Sequence, residues 1–263
     1  MESSPRNDAL AFLEPADVER FLDEIASSGW DTREIGFTGG EPFVNPRIVP
    51  MLEACLWRGY SVLVLTNAGR PLMLRREGLL ELWERHGDWL SLRVSLDHYS
   101  PELHERERGA GSWDGALRGL AWLVESGFPV SVAGRTCWNE SEPELRAGYA
   151  ALFTRIGLEV DAANPAHLVL FPDLDAEGPV PEITEGCWRI LGVSPDSVMC
   201  AHSRMVLRRR GAASARVVAC TLLPFAAAFE LGGTLAESAG SVSLCHPYCA
   251  GFCVLGGGHC SPD

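Results

Sequence analysis

Apolar, β-rich runs alternate with amphipathic stretches along the first two thirds of the chain. The apolar runs predict five strands, over residues 35–38, 61–66, 90–96, 130–134 and 167–171. Apolar positions at helical spacing predict helices over residues 14–28, 46–58, 77–86, 113–126 and 141–156. Ser141, with Glu144 three residues later, has the capping-box pattern that begins a helix. This alternation predicts a parallel sheet with right-handed helical crossovers.

The predicted fold is therefore α/β, a partial parallel (β/α) barrel, with an open doubly wound sheet as the alternative. We expect the barrel over residues 1–180 and a small cysteine-rich domain over residues 181–263. A segment rich in Pro, Gly and Asp, residues 172–181, would join them, and a short helix over residues 182–191 would follow. Residues 97–112 are mostly polar and are predicted to form a long loop.

Composition and charge narrow the function classes. The 263 residues are 46% apolar and carry a formal net charge of -13, which disfavours nonspecific nucleic-acid binding. No apolar run is long enough to cross a membrane, and the N-terminus does not resemble a signal peptide. We therefore expect a cytoplasmic protein with no nucleic-acid or membrane partner. The basic run at residues 208–210 is predicted to be a solvated turn rather than a phosphate site.

Polar residues stand at the carboxyl ends of four predicted strands, where α/β folds place their binding sites. They are Gly39, Gly40, Glu41 and Pro42 after the first strand, Asn67 after the second, Ser95 in the third and Arg135 after the fourth. An acid, an amide, a hydroxyl and a guanidinium around one centre suit a zwitterionic ligand. Glu41 would accept from an ammonium group, and Arg135 would clamp a carboxylate. The alternative for each residue is a cap on free backbone groups at a strand end.

Nine cysteines are unusual for a cytoplasmic chain, where disulfides are rare. Six of them crowd the C-terminal quarter: Cys200, Cys220, Cys245, Cys249, Cys253 and Cys260. Such crowding indicates an iron–sulfur cluster or another metal site. A zinc site with three or four thiolates, completed by His246 or His259, and a set of unliganded thiols are the alternatives.

Three segments in order resemble the radical S-adenosylmethionine (radical SAM) superfamily. They are residues 37–42 (FTGGEP), residues 65–69 (LTNAG) and residues 94–97 (VSLD), and residues 103–113 resemble the segment that follows in members that modify peptides and cofactors. The resemblance implies that residues 39–42 hold the amino group of S-adenosylmethionine. It also implies that Ser95, Asn67 and Arg135 hold its carboxylate or ribose.

The C-terminal cysteines loosely resemble the SPASM/twitch extension of this superfamily, which carries auxiliary iron–sulfur clusters. Their spacing departs from the usual pattern, so we expect one auxiliary [4Fe-4S] cluster rather than two. A cubane needs four ligands. We expect them among Cys200, Cys220, Cys249, Cys253 and Cys260, with Cys245 as a further candidate.

One departure from the family pattern concerns the catalytic [4Fe-4S] cluster, which a Cys-x-x-x-Cys-x-x-Cys loop binds. The chain has no cysteine before Cys55, and the first barrel strand is missing from the pattern. We therefore expect a start upstream of Met1 or a truncation, inactivity of the chain as printed, and an unpaired edge on the strand at Ile35. The catalytic cluster would be present only with the missing loop restored.

The resemblance implies an enzyme that cleaves S-adenosylmethionine reductively to a 5′-deoxyadenosyl radical, which removes a hydrogen atom from a peptide or small molecule. A reductant such as flavodoxin or ferredoxin would be its partner, and the C-terminal cluster would anchor substrate or relay an electron. No residue is assigned as a catalyst. The alternatives are a non-catalytic ligand- or peptide-binding relic with a structural metal site, and an α/β methyltransferase with a zinc appendage. The methyltransferase is disfavoured because the second strand ends in Thr66-Asn67 rather than in an acid.

Overall fold

A computed structural model describes residues 8–255, which form two compact units, residues 31–173 and residues 8–30 with 174–255. The strands are β1 (Leu10–Ala11), β2 (Glu34–Phe37), β3 (Ser61–Thr66), β4 (Leu90–Ser95), β5 (Val130–Arg135), β6 (Leu168–Phe171), β7 (Met205–Arg209), β8 (Arg216–Val218) and β9 (Glu230–Gly232). The α-helices are α1 (Pro15–Ser28), α2 (Ile48–Trp57), α3 (Arg70–Met73), α4 (Arg76–His86), α5 (Pro101–Arg108), α6 (Ser112–Glu125), α7 (Glu142–Arg155), α8 (Glu185–Leu191) and α9 (Met199–His202).

The unit of residues 31–173 is a five-stranded parallel sheet in the order β2-β3-β4-β5-β6. Its strand order equals its chain order, and Val64 of β3 pairs with Leu92 of β4 in register. In a doubly wound sheet the order in which successive strands are added would reverse part-way through the chain. The prediction of a partial (β/α) barrel is therefore confirmed, and the doubly wound alternative is wrong. Within the described residues β2 is an edge strand, as expected.

The strands of this sheet are buried on both faces, which is why their sequences are continuously apolar. Val62, Val64, Leu92, Val94 and Val132 are fully buried. Helices cover the sheet through their apolar stripes. The capping box predicted at Ser141 and Glu144 begins α7, and Gly29 ends α1 in the left-handed conformation with a φ of 70°.

Residues 97–112 were expected to form a long loop, and this expectation is wrong. Pro101 occupies the first turn of α5, where a proline fits because its missing N–H would have no helical partner. Of the eight residues of α5, only His104 is buried. A single buried position leaves no apolar periodicity, so the sequence pattern could not indicate this helix.

The second unit holds a four-stranded antiparallel arrangement in the order β1-β7-β8-β9. Helix α1 packs in its core, where Phe21 meets Ala215, Val217 and Leu235. We expected residues 1–180 to form one domain, whereas β1 and α1 group with the C-terminal residues instead. The amphipathic pattern of α1 shows that one face is buried, but it does not say which sheet covers that face.

The basic run at residues 208–210 also differs in part from expectation. Arg210 lies in a turn and is exposed, as expected, whereas Arg208 and Arg209 lie on β7. Arg208 donates to Asp17 at 3.0 Å, and Arg209 donates to Glu230 at 2.8 Å. These guanidinium groups therefore join α1 and β9 to β7. Among residues 8–255, no helix has both the length and the apolar character that crossing a bilayer requires.

Candidate functional site

The turn after β2 exposes backbone at the carboxyl edge of the parallel sheet. Residues 38–40 are exposed, while Pro42 and Phe43 after them are buried. Gly39 has a φ of +147°, which residues with a side chain rarely adopt. A Cβ added at Gly39 or Gly40 would meet no atom within 4 Å. No described residue donates a backbone hydrogen bond to either carbonyl, so the backbone leaves both acceptors unused.

Glu41 joins the end of β2 to the end of β3. Its carboxylate accepts from the backbone N–H of Phe43 at 3.1 Å and from that of Asn67 at 2.8 Å. The Thr66 hydroxyl lies 3.0 Å from both carboxylate oxygens. Burial raises the pKa of Glu41, against the lowering effect of these donors. A carboxylate offers about four acceptor positions, and these three donors leave at least one of them, so the group that we expected to hold an ammonium also anchors its own turn.

The loop after β3 is tied to itself and to Glu41. The Asn67 side-chain oxygen accepts from the Gly69 N–H at 3.1 Å, and the Ala68 N–H donates to the Thr66 hydroxyl at 3.0 Å. Ala68 is fully buried and has a φ of 52°, the left-handed conformation that favours glycine. The Asn67 side chain therefore shapes its own loop, which matches the strand-end cap that we kept as its alternative.

At the end of β4, Ser95 is half-buried and pairs in register with Ala133 of β5. Two residues later the buried Asp97 accepts two hydrogen bonds from the Arg108 guanidinium, at 2.7 and 2.9 Å. The Asp97 N–H donates to Nδ1 of His104 at 3.2 Å, so Nε2 carries the ring proton in the neutral form. Burial lowers the pKa of His104 to about 4.

Arg135, at the end of β5, is engaged by two acids. Its terminal nitrogens donate to Glu107 and to Asp173, both at 2.5 Å, and its side chain is 12% exposed. Each acid is contacted by one terminal nitrogen, so neither receives the two-pronged contact predicted for a ligand carboxylate. The guanidinium carries five N–H groups, and these two hydrogen bonds use two of them.

Sequence reasoning missed a hydrogen-bonded group that links the loops after β4 and β5. The Ser100 N–H donates to Nδ1 of His98 at 2.9 Å, so Nε2 carries the proton toward Glu140 at 2.7 Å. The Tyr99 hydroxyl donates to the same carboxylate at 2.5 Å. Burial opposes the charge on Glu140, but the hydrogen bonds from Tyr99 and His98 lower its pKa. No local pattern connects residues 98 and 140, so the sequence carried no signal for this pairing.

Four of the predicted metal-ligating cysteines line one apolar cavity in the second unit. They are Cys200, Cys220, Cys249 and Cys253, and their neighbours in the wall include Met199, Leu223 and Tyr248. Burial raises the pKa of Cys249 to about 12 and that of Cys253 to about 11. These thiols are neutral at pH 7 unless a cation is bound, because a coordinating metal removes the proton from a thiol.

The remaining cysteine predictions fall elsewhere. Cys245 is exposed and is not part of the cavity wall. Cys260 and His259 lie outside the described residues. His246 lies at 5.6 Å from the Phe229 ring, measured between ring centres, and is likewise not in the wall. Within residues 8–255, no three His, Cys, Asp or Glu side chains converge on the position of a single ion.

A family model for the radical SAM superfamily matches residues 3–147, more than half of the 263 residues. The chain belongs to the radical SAM superfamily. No curated protein matches it. Membership agrees with the sheet described above, in which the segments at residues 39–42, 67 and 95 end three neighbouring parallel strands.

Two solved structures with TM-scores above 0.5 share the fold. The hexahistidine-tagged form of anSMEcpe with bound AdoMet is 12% identical, with a TM-score of 0.61 over 91% of this chain and 72% of that one. Native anSMEcpe with bound AdoMet is also 12% identical, with a TM-score of 0.60 over 89% of this chain and 74% of that one. SuiB of Streptococcus suis, bound to its precursor peptide SuiA, is 18% identical with a TM-score of 0.44 over 57% of this chain. This radical SAM chain covers about a third of the length of SuiB, 32%.

Proposed function

We propose that the protein is a radical SAM enzyme acting on a peptide or a small molecule in the cytoplasm, with a small electron donor such as flavodoxin or ferredoxin as its partner. When bound, S-adenosylmethionine and an iron–sulfur cluster supply the chemistry of this family, in which a 5′-deoxyadenosyl radical removes a hydrogen atom from the substrate. The chain's own residues bind and orient these groups.

The observation that carries this proposal is the way Glu41 fixes the turn at Gly39 and Gly40. Because Glu41 is anchored to Thr66 and Asn67, the exposed turn at Gly39 and Gly40 is fixed at the edge where β2, β3 and β4 end. Carbonyl oxygens are suitable acceptors for the ammonium group of a zwitterionic ligand. The amino group would thus be held by backbone, with Glu41 acting as the anchor of the turn and Pro42 as the start of its buried part.

The other end of the ligand would be held by side chains on the neighbouring strands. The Ser95 hydroxyl stands at the end of β4, and Asn67 retains its side-chain NH2 group for a ribose or carboxylate oxygen. Arg135 would contribute a charge-assisted hydrogen bond from an N–H group that its contacts with Glu107 and Asp173 do not use.

In the second unit, Cys200, Cys220, Cys249 and Cys253 would hold an auxiliary iron–sulfur cluster of the SPASM/twitch kind. Four thiols in one apolar cavity fit a thiolate-bound cationic group. A zinc ion needs its sulfurs about 2.3 Å from one point. The described side chains do not converge in that way, whereas a cubane spreads its four ligands over four iron atoms. Iron–sulfur is preferred over zinc because the C-terminal cysteines resemble the SPASM/twitch extension.

The activity is tested on the full-length product of the gene, purified without oxygen and reconstituted with iron and sulfide. S-adenosylmethionine and a strong reductant are added, and 5′-deoxyadenosine is measured by mass spectrometry. We expect 5′-deoxyadenosine only when the reductant is present. A reconstituted protein that binds no S-adenosylmethionine would contradict the proposal.

A second candidate is a non-catalytic binding protein of the same fold. What favours it is that the described residues at the sheet edge account for holding a ligand, through the turn fixed by Glu41, while none of them is assigned a catalytic role. The same assay separates the two functions. A full-length protein that binds S-adenosylmethionine but yields no 5′-deoxyadenosine supports the binding protein.

The metal is identified by analysis of iron, acid-labile sulfide and zinc in the anaerobic protein. We expect a brown protein with iron and sulfide in equal amounts, both of which decrease in Cys249→Ser. The matched control is Cys187→Ser, because Cys187 is not part of the cavity wall. A colourless protein with stoichiometric zinc would show that the cavity is a zinc site.

A further inference from the structure

Helix α6 approaches the loop after β3 more closely than any side chain at its contact position would allow. Gly119 is buried in the middle of α6. A Cβ added there would lie 1.9 Å from the carbonyl oxygen of Ala68 and 2.9 Å from its Cβ. Real Cβ atoms do not come so near to backbone atoms, so this approach depends on the glycine at position 119.

The residue that α6 contacts is itself held in an unusual conformation. Ala68 is fully buried with a φ of 52°, which costs an L-residue on the order of 1 kcal/mol. Such a conformation persists only where the surroundings enforce it. The contact with Gly119 is a direct restraint of this kind, because it meets the Ala68 carbonyl.

The restraint is passed on through hydrogen bonds. The Ala68 N–H donates to the Thr66 hydroxyl, and this hydroxyl contacts both oxygens of Glu41. The N–H of Asn67, next to Ala68, donates to Glu41 at 2.8 Å. Glu41 is then followed directly by the buried Pro42 and preceded by the exposed glycine turn.

We propose that Gly119 is a positioning residue for the ligand-binding turn, acting through Ala68, Thr66 and Glu41 on the carbonyls of Gly39 and Gly40. This inference rests on the proposed function, because it takes that turn to be the S-adenosylmethionine site. Gly119 touches no ligand. Its contact with Ala68 fixes the position of the end of β3. The hydrogen bond of Thr66 to Glu41 then fixes the position of the turn after β2.

The chain offers a matched control on the same helix. Gly115 lies one turn before Gly119, and a Cβ added there would meet only the Gly69 Cα, at 4.0 Å, an ordinary contact. Gly115→Ala and Gly119→Ala are therefore the same chemical change on one helix. Only the second change forces the loop at Ala68 to move.

The test measures S-adenosylmethionine affinity by calorimetry in the reconstituted full-length protein without reductant. We expect Gly119→Ala to weaken binding by about 10- to 100-fold, since small displacements at a site have effects of this size. Gly115→Ala should bind as the wild type does. Wild-type protein that fails to bind would contradict the proposed function, whereas Gly119→Ala that binds like the wild type would overturn only the positioning role.

A double-mutant cycle with Thr66 distinguishes the positioning role of Gly119 from a merely structural one. If Gly119 acts through the Thr66 hydroxyl, Gly119→Ala should have a much smaller effect in a Thr66→Val protein than in the wild type. If the double variant loses affinity by the product of the two single fold-changes, the residues act independently and the proposal is overturned. Should Gly119→Ala not fold, the pair Gly119→Ala and Ala68→Gly replaces it, because the glycine at position 68 lets the loop relax. Weakened binding by that pair supports the proposal, and wild-type binding contradicts it.

Discussion

The Thr66 hydroxyl lies 3.0 Å from both carboxylate oxygens of Glu41, and so it joins residues that are 25 positions apart at the ends of β3 and β2. Thr66 is 2% exposed. The glycine turn before Glu41 is therefore fixed by the neighbouring strand as well as by its own. The geometry of the site is a property of the sheet edge, which is where parallel α/β folds concentrate their binding groups.

Thr66→Val should show what this hydroxyl contributes. Valine keeps the shape but removes a donor to Glu41 and the acceptor of the Ala68 N–H. We expect the free energy of unfolding to fall by about 1–3 kcal/mol, because buried polar groups lose their partner. S-adenosylmethionine binding should weaken as well. Urea denaturation and calorimetry measure the two effects.

The control for this substitution is Thr154→Val. The Thr154 hydroxyl also makes a hydrogen bond, which it donates to the Ala150 carbonyl at 2.9 Å, but it is exposed on α7. Its replacement should change stability by about 0.5 kcal/mol at most and should leave ligand affinity unchanged. Equal effects of the two substitutions would show that the hydroxyl bond to Glu41 has no special role.

The pair of Asp97 and Arg108 should be intolerant of Arg108→Lys. Asp97 is 5% exposed and receives two parallel hydrogen bonds from the guanidinium, which a lysine cannot reproduce. We expect a loss of about 2–4 kcal/mol, since a buried carboxylate loses part of its compensation. Urea denaturation measures this loss of stability.

Arg106→Lys, at an exposed position of the same helix, is the control and should leave stability unchanged. Neutral behaviour of Arg108→Lys would mean that solvent compensates Asp97.

His104 should make the protein less stable in mild acid. Burial lowers its pKa to about 4 from the ordinary 6.5, so between these values the unfolded chain binds a proton that the folded chain does not. The free energy of unfolding must therefore decrease as the pH falls from 6.5 to 4, and the loss is complete below 4. It amounts to about 2 kcal/mol between about pH 7 and pH 5.

Denaturation at about pH 7 and pH 5 measures this effect, and His104→Gln is the matched variant. The glutamine oxygen can still accept from the Asp97 N–H, but it has no proton to gain. The difference between the two pH values should therefore be smaller by about 2 kcal/mol in His104→Gln. An identical pH dependence in both proteins would show that His104 is not the group responsible.

Local sequence pattern was sufficient for the parallel sheet and for the residues at which its strands end. The apolar runs around Val64 and Val94 are long and uninterrupted, so their strands could be predicted, and polar residues directly after them mark the sheet edge. Side-chain direction could not be predicted in this way. Glu41 turns to Thr66, and Arg135 turns to Glu107 and Asp173, because tertiary partners decide where a charged group finds compensation.

The tertiary partners of helices and cysteines could not be predicted from local sequence pattern either. Helix α5 buries only His104, and its role is to bring Arg108 to Asp97, a relationship with no periodic signature. Helix α1 has a clear stripe, yet the stripe does not reveal that it meets Val217 rather than the parallel sheet. Cysteine crowding indicated a metal site, but only the fold separates the four cavity thiols from the exposed Cys245.

Thiol reactivity gives a test of the cavity that does not depend on enzyme activity. Burial raises the pKa of Cys249 to about 12, whereas hydrogen bonds from the Thr184 backbone and side chain lower the pKa of Cys187. In reduced, metal-free protein at about pH 8, iodoacetamide should therefore modify Cys187 faster than Cys249, by on the order of a hundredfold, because only the thiolate reacts. Peptide mass spectrometry follows the labelling of each cysteine.

After loading with iron and sulfide, Cys249 should become still less reactive while the reactivity of Cys187 is unchanged. Equal rates at the two cysteines in the metal-free protein would mean that the cavity is open to solvent, and unaltered labelling of Cys249 after loading would mean that it is not a ligand.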